Sequence, residues 1–252
     1  MSFKVYIPAR YQSSRLPGKL LLEVSGKSVL AFVVENAKNS GAEDVVVATD
    51  DERIAEVAES LEANAIFTSA SHTSGTDRIA EAVRLNNEHD EQIIVNVQAD
   101  EPLLPASVIA QVAQILQKNS HAQMATVCES FADLRELTDP NICKVVRDTN
   151  NRALYFSRAP IPFCRDIDED RSESSLQEVC RRHIGLYAYR VEFLQKFIEL
   201  PHSALEHLEK LEQLRVLTAG FELIVEDAQA DCGLGVDTQA DFIRFSERVN
   251  KQ

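Results

Sequence analysis

Short runs of β-branched residues alternate with amphipathic stretches through the first half of this 252-residue chain. Phe3 to Ile7, Val45 to Ala48, Ala65 to Phe67 and Ile93 to Val97 read as strands. Val45-Val46-Val47-Ala48 has no polar side, so it is expected to be buried on both faces of a sheet. Between these runs, apolar residues recur at helical spacing. They are Leu30, Val33, Val34 and Ala37; Ile54, Val57, Ala58 and Leu61; Ile79, Ala82 and Val83; and Ile109, Val112, Ala113 and Leu116. Ser28 is placed to cap the first helix, and Ser40-Gly41 to end it. Thr49-x-x-Glu52 has the form of a capping box for the second. This rhythm predicts an α/β fold: a three-layer, mostly parallel, doubly wound sheet. Sheets of this kind bind ligands beyond the carboxyl ends of their strands.

From about residue 120 the rhythm changes. Met124 to Cys128, Cys143 to Val146, Ala153 to Phe156 and Ile184 to Tyr189 read as strands with no regular helix between them, so a β-rich insertion lobe is expected at roughly 120–190. Asp166 to Arg182 is polar and charged, and reads as a surface loop or flap. Leucines at 205, 208, 211, 214 and 217 are spaced by three, a stripe that drifts by about 60° per step on a straight helix. That helix must be buried on several sides or broken in two. A last helix follows Asp237-Thr238, with Phe242, Phe245 and Val249 facing inward and Thr238-x-x-Asp241 as its cap.

The loop after the first strand carries the clearest chemical signal. Lys4, Arg10, Arg15 and Lys19 fall between Met1 and Leu22 with no carboxylate among them, in a chain whose net charge is −14. Ser13, Ser14 and Gly18 lie between the cations, and Pro8 and Pro17 restrict the loop. Fixed positive charge, hydroxyls and a permissive backbone suit a polyphosphate. A solvated basic loop would have the same composition. The loop is neither a Walker A motif nor a Rossmann glycine fingerprint, so phosphate binding would rest on side-chain cations and loop amides.

Other residues offer chemistry with a plainer reading beside it. Asp100 follows a buried strand directly, and Asp237 follows Gly233-Leu234-Gly235-Val236. Brought together near a phosphate cradle they would make a Mg²⁺ site, since Mg²⁺ takes one or two carboxylates plus phosphate oxygens; Asp237 could equally be a helix cap. Ser74-Gly75-Thr76-Asp77-Arg78 could hold a nucleoside or simply start a helix. His183, Arg158 and Glu212-Gln213 carry no claim alone.

Composition narrows the class. The acidic balance argues against a general nucleic-acid or anionic-membrane surface, though one basic pocket remains compatible with it. The chain shows no signal segment and no 18-residue apolar run, which makes the cytoplasm the expectation and membrane insertion unexpected. Five cysteines form no C-x-x-C pair, which argues against structural zinc or a disulfide framework.

Seven motifs occur in order: Ile7-Pro-Ala-Arg-Tyr-x-Ser-Ser-Arg-Leu-Pro-Gly-Lys19, Ser74-Gly-Thr-Asp-Arg78, Val95-Asn-Val-Gln-Ala-Asp-Glu-Pro102, Ala153-Leu-Tyr-Phe-Ser-Arg158, His183-Ile-Gly-Leu-Tyr187, Glu209-Lys-Leu-Glu-Gln-Leu-Arg215 and Gly235-Val-Asp-Thr238. Together they resemble the 3-deoxy-manno-octulosonate (Kdo) cytidylyltransferases over nearly the whole chain. The resemblance implies a fold of the nucleotide-diphospho-sugar transferase type and formation of CMP-Kdo and diphosphate from CTP and Kdo, for lipopolysaccharide biosynthesis. It also implies Mg²⁺ as cofactor and a cytoplasmic homodimer formed through the insertion. By position, Arg10, Ser13, Ser14, Arg15 and Lys19 would hold the CTP phosphates, and Ser74 and Arg78 the cytidine. Asp100 and Asp237 would bind Mg²⁺. Lys19, Asp100, Asp237 and Arg15 would be catalytic, and Gln98, Arg158, His183, Tyr187, Glu212 and Gln213 would line the sugar-acid pocket. Two positions depart from the family pattern: Ala99 stands where glycine is usual, and Leu20 where proline is frequent. Two other classes compete, a glycosyltransferase of related fold and a non-catalytic nucleotide sensor. Release of diphosphate from free CTP separates both from a cytidylyltransferase.

Overall fold

The computed structural model describes residues 2–13, 15–131, 133, 135–163, 165 and 179–251. Its core is a sheet in the order β11-β7-β10-β6-β1-β4-β5. The strands are β1 (Phe3–Ala9), β4 (Asp44–Thr49), β5 (Asn64–Phe67), β6 (Ile93–Asn96), β7 (Met124–Glu129), β10 (Arg181–Arg190) and β11 (Leu223–Asp227). β6, β1, β4 and β5 run parallel, β7 and β11 are parallel to each other, and β10 is antiparallel to both neighbours. A small hairpin, β2 (Glu23–Val24) and β3 (Lys27–Ser28), stands apart.

The period of two in the strands separates two cores. Val5, Ile7, Val45, Val47, Ile93 and Val95 face one side, where α1 (Val29–Asn39), α2 (Glu52–Ser60), α4 (Ala106–Lys118) and α9 (Gln239–Val249) cover them. Tyr6, Val46, Ala48 and Ile94 face the other, under α3 (Gly75–Leu85) and α6 (Val191–Glu199). Each fully buried Val or Ile contributes about 1.5–3 kcal/mol relative to exposure. Val46, fully buried on the face under α3, is a position where a charge would be expected to break the fold. The three-layer, mostly parallel α/β architecture expected from the sequence is the one observed.

The caps mostly follow the sequence. Ser28 accepts from the Ala31 amide and Ser74 from the Asp77 amide. Thr49 does not cap α2. It is the last residue of β4, in register with Ala9 and Phe67, and the cap is Asp51. The leucine stripe resolves into a broken helix. α7 (Ala204–Glu209) and α8 (Gln213–Thr218) are separated at Lys210, whose φ of 54° is left-handed. Leu208 is left exposed while Leu211 and Leu214 are buried.

Both ends of the 120–190 segment, β7 and β10, are strands of the central sheet. What projects from it is β8 (Lys144–Arg147), which pairs with β10 and with β9 (Ala153–Ser157), and a single turn, α5 (Arg135–Thr138). Of the expected flap, 166–178 lies outside the described residues, and Arg181 and Arg182 belong to β10. β11 and α6 were not expected from the sequence.

Candidate active site

The loop leaving β1 is shaped by one glycine. Gly18 adopts φ +68°, and a Cβ there would stand 3.1 Å from the Tyr11 hydroxyl, so a side chain is disfavoured both by backbone and by space. Its amide donates to the Tyr11 carbonyl at 3.2 Å, which closes the loop and starts a 3₁₀ turn, Lys19–Leu21. Lys19 is thereby carried inward to 8% exposure.

Two carboxylates meet it there. Asp100 lies four residues past the end of β6, at the carboxyl edge of the sheet. The Val236 amide donates to the Asp100 carbonyl at 2.7 Å, fastening the distant 233–237 segment beside it. Gly235 permits this approach: a Cβ would meet Glu101 Oε1 at 2.8 Å and the Asp100 carbonyl at 3.2 Å. Lys19 Nζ stands 2.5 Å from Asp100 Oδ2 and 2.9 Å from Asp237 Oδ1, and Arg15 Nη2 stands 2.9 Å from that same Asp237 oxygen. Against desolvation, which pulls it down, Asp100 and Asp237 hold the Lys19 ammonium above its ordinary range.

Asp237 is not the helix cap. Thr238 caps α9 by accepting from the Asp241 amide, and the Asp241 side chain returns to Thr238 in a full capping box. The Asp237 carboxylate is left to face the cations. Both carboxylates lie close enough to share one ammonium nitrogen, a spacing that also suits a divalent cation taking two carboxylates plus phosphate oxygens. Among the described residues no group of three or more His, Cys, Asp or Glu is gathered closely enough to hold a metal.

A cleft of about 240 Å³ opens over this cluster. Arg10, Ser13, Arg15 and Lys19 line one side, Ser74 and Arg78 the other, with Gln98, Ala99 and Asp100 between them. Arg78 is buried, donating to Thr68 Oγ1 at 2.7 Å and facing Asp50 at 3.4 Å. Ser74 doubles as the cap of α3. Ser14 lies outside the described residues.

A second cleft, of about 740 Å³, is lined by His183, Tyr187, Glu212 and Gln213, and shares Arg15 and Asp237 with the first. Burial shifts three of these groups, His183, Tyr187 and Glu212, toward their neutral forms, while Arg182, Lys210 and Arg244 also line the cleft. Burial pushes His183 down to about 3, and its ring lies edge-on to Phe156 with Nε2 3.0 Å from Thr126 Oγ1. Burial raises Tyr187 and Glu212 above their ordinary ranges; hydrogen bonds from Thr76 and Ser74 pull Glu212 the other way.

Two expected sugar-pocket residues stand elsewhere. Gln98 lines the first cleft, with Nε2 donating to Asn96 Oδ1 at 3.0 Å. Arg158 lines neither cleft; its guanidinium donates to the Glu209 carbonyl at 2.7 Å and the Pro140 carbonyl at 2.9 Å. The structure adds Arg182, which bridges Glu129 at 2.5 Å and the Gly233 carbonyl at 2.7 Å beside the second cleft. It also adds Glu101, pushed up to about 8 by burial and then by Asp100. Neither stood out, because a charged residue beside a motif gives no sign of which way it points.

Comparison with known proteins matches residues 5–226 to the cytidylyltransferase family. The 3-deoxy-manno-octulosonate cytidylyltransferase of Thioalkalivibrio sulfidiphilus is 50% identical over 251 residues, covering 100% of this chain and 98% of that protein. The chain belongs to this family. The enzyme of the same name from Nitrosococcus oceani is also 50% identical, over 100% of this chain and 98% of its own length, and that from Coxiella burnetii is 44% identical. Among solved structures, a CMP:2-keto-3-deoxy-manno-octonic acid synthetase complexed with CTP superposes with a TM-score of 0.89 at 37% identity, covering 100% of this chain and 99% of that one. A nucleotidyl transferase from Methanothermobacter thermautotroptrophicus, at 15% identity and TM-score 0.61, shares the fold. The first cleft lies where such sheets bind ligands, beyond the carboxyl ends of β1 and β6.

Proposed function

We propose that this cytidylyltransferase joins CTP to Kdo, giving CMP-Kdo and diphosphate. The observation that carries this reading is the meeting of two unlike clefts at Arg15 and Asp237, with Lys19 held between two carboxylates. The triphosphate occupies the first cleft, where Arg10, Arg15 and Lys19 neutralise it and Ser13 offers a hydroxyl. Ser74 and Arg78 face the cytidine. The sugar acid occupies the second cleft, against His183, Tyr187, Glu212 and Gln213. Gln98 faces it from the floor of the first cleft, and Arg158 shapes it through the backbone that it holds.

The anomeric hydroxyl of Kdo attacks the α-phosphorus in line. A new oxygen–phosphorus bond forms as the hydroxyl gives up its proton to solvent, the bond to the bridging oxygen breaks, and diphosphate leaves from the opposite side. Charge then grows on phosphoryl and leaving oxygens, so the work of the chain is positioning and electrostatic stabilisation. Lys19 and Arg15 are preorganised for it by their carboxylate partners. His183, kept neutral, binds and orients rather than carrying a proton. Mg²⁺ held by Asp100 and Asp237 would supply Lewis-acid stabilisation and favour ionisation of the attacking hydroxyl.

The purified protein is expected to release diphosphate from CTP only when Kdo and Mg²⁺ are present. Folded protein that releases none with any 3-deoxy sugar acid would remove the proposal. We further place the enzyme in cytoplasmic lipopolysaccharide biosynthesis, as a homodimer formed through the 120–190 segment. Exposed Leu154, Phe163 and Val179 within that segment support the interface. Light scattering at micromolar concentration should give twice the 28.1 kDa chain mass; a monomer mass would contradict it.

A further inference from the structure

Lys144 is a buried charge that the chemistry above leaves without a task. It sits in β8 at 0% exposure. Its ammonium donates three hydrogen bonds, all to main-chain carbonyls: Asp139 at 2.8 Å, Ile142 at 2.7 Å and Arg158 at 2.6 Å. These use all three of its N–H groups. They join two separate stretches, the turn at 139–142 and the end of β9.

Arg158 extends the tie. Its amide donates to Glu209 Oε2 at 2.9 Å, its Nε to the Glu209 carbonyl and its Nη1 to the Pro140 carbonyl, while Ser157 Oγ donates to Glu209 Oε1 at 2.6 Å. Glu209 ends α7, and the left-handed Lys210 follows. The residues on either side of this knot are the two walls of the second cleft. Asn141, Ile142 and Cys143 stand on one wall, Lys210, Glu212 and Gln213 on the other, and Gln213 Nε2 lies 3.8 Å from Cys143 Sγ across the join.

Burying an ammonium is costly, and burial pulls Lys144 below the ordinary lysine range. An apolar side chain would fill the same space in β8 without that cost, but it would leave three carbonyls unpaired and the walls untied. We propose that Lys144 is a positioning residue for the second cleft, setting the separation of the 139–143 and 210–213 walls and so the placement of the sugar acid. This rests on reading that cleft as the sugar-acid subsite.

The test compares Lys144→Met and Lys144→Gln with Gln213→Ala, which alters the cleft directly. Steady-state kinetics with Kdo and calorimetric binding of CTP without the sugar acid are read for each. Lys144→Met is expected to lose about 10²-fold in kcat/KM for Kdo, the scale of a misplacement of about 1 Å, with CTP affinity unchanged. Lys144→Gln keeps two N–H donors and should fall between it and the wild type. Wild-type kcat/KM for Kdo in Lys144→Met overturns the proposal. So does a loss of CTP binding equal to the loss with Kdo, which would mark a scaffold role alone. Should Lys144→Met not fold, the same split in Lys144→Gln decides. If Gln213→Ala leaves the KM for Kdo untouched, the reading of the cleft falls and the proposal with it. If Gln213→Ala raises that KM and the Lys144 variants do not, only the role of Lys144 falls.

Discussion

The two clefts meet at Asp237 yet solve different electrostatic problems. The first is cut by loops that leave parallel strands at their carboxyl ends, and it is lined by Arg10, Arg15, Lys19 and Arg78 against two carboxylates. The second is framed by antiparallel β10, the 139–143 turn and the α7–α8 break, and burial drives His183, Tyr187 and Glu212 toward their neutral forms among lining cations such as Arg182 and Lys210. A polyphosphate needs net positive charge fixed in place before it arrives. A hydroxylated sugar acid needs a cation for its carboxylate and, for its hydroxyls, shape and hydrogen-bonding groups that do not shift protonation. The difference teaches that one edge of a sheet can serve both, provided that the charged groups are held by partners and the neutral ones by burial.

The comparison is broken most severely by removing charge from the first cleft. Lys19→Ala and Arg15→Ala are each expected to lower kcat by about 10²–10³-fold, the usual cost of deleting a preorganised donor to a reacting phosphoryl group. Circular dichroism should show both variants folded. Near-normal turnover in either would make the loop a solvated surface.

A smaller effect sharpens the contrast from the neutral side. His183 has a folded pKa of about 3, depressed by burial from an ordinary value near 6.5. Below pH 6.5 the unfolded chain takes up a proton that the folded chain refuses. The stability that His183 contributes is therefore complete above pH 6.5 and is lost progressively as pH falls toward 3. The loss is at most about 1.4 kcal/mol per pH unit. His183→Gln should consequently lose less stability between pH 7 and 5 than the wild type in urea titrations. Parallel losses in the two proteins would mean that His183 titrates normally and that the second cleft is not electrostatically closed.

How much of this could be read from residues depended on how local the cause was. The strands of the parallel half are continuous β-branched runs such as Val45 to Ala48, and burial on two faces leaves that mark in any order of topology. The α6 helix begins immediately after β10, and Arg190, its N-cap residue, makes no side-chain capping bond, so no boundary was visible. β11 is only five residues long, and its place depends on pairing with β7. The cationic loop was legible because its charges stand out against an acidic chain. The convergence of Asp100 and Asp237 is built from contacts distant in sequence, among them the hydrogen bond from Val236 to Asp100 and the Lys19 bridge to both carboxylates, which no local pattern encodes. Arg158 could be located by its motif, but its direction is set by Glu209 and Pro140, which only the folded chain brings near.

The claim that the clefts work as one site rests on Asp237, and the Mg²⁺ dependence of kcat in Asp237→Asn tests it most directly. Asn is nearly isosteric with Asp and lacks its charge, and the helix keeps its own cap at Thr238. The variant should fold and bind CTP through Arg10, Arg15 and Lys19. It is expected to require more Mg²⁺ for half-maximal rate and to lose more in kcat than it gains in KM for CTP. A wild-type Mg²⁺ curve at a wild-type rate would contradict the account, leaving Asp100 without a partner and the two clefts without a shared catalytic group.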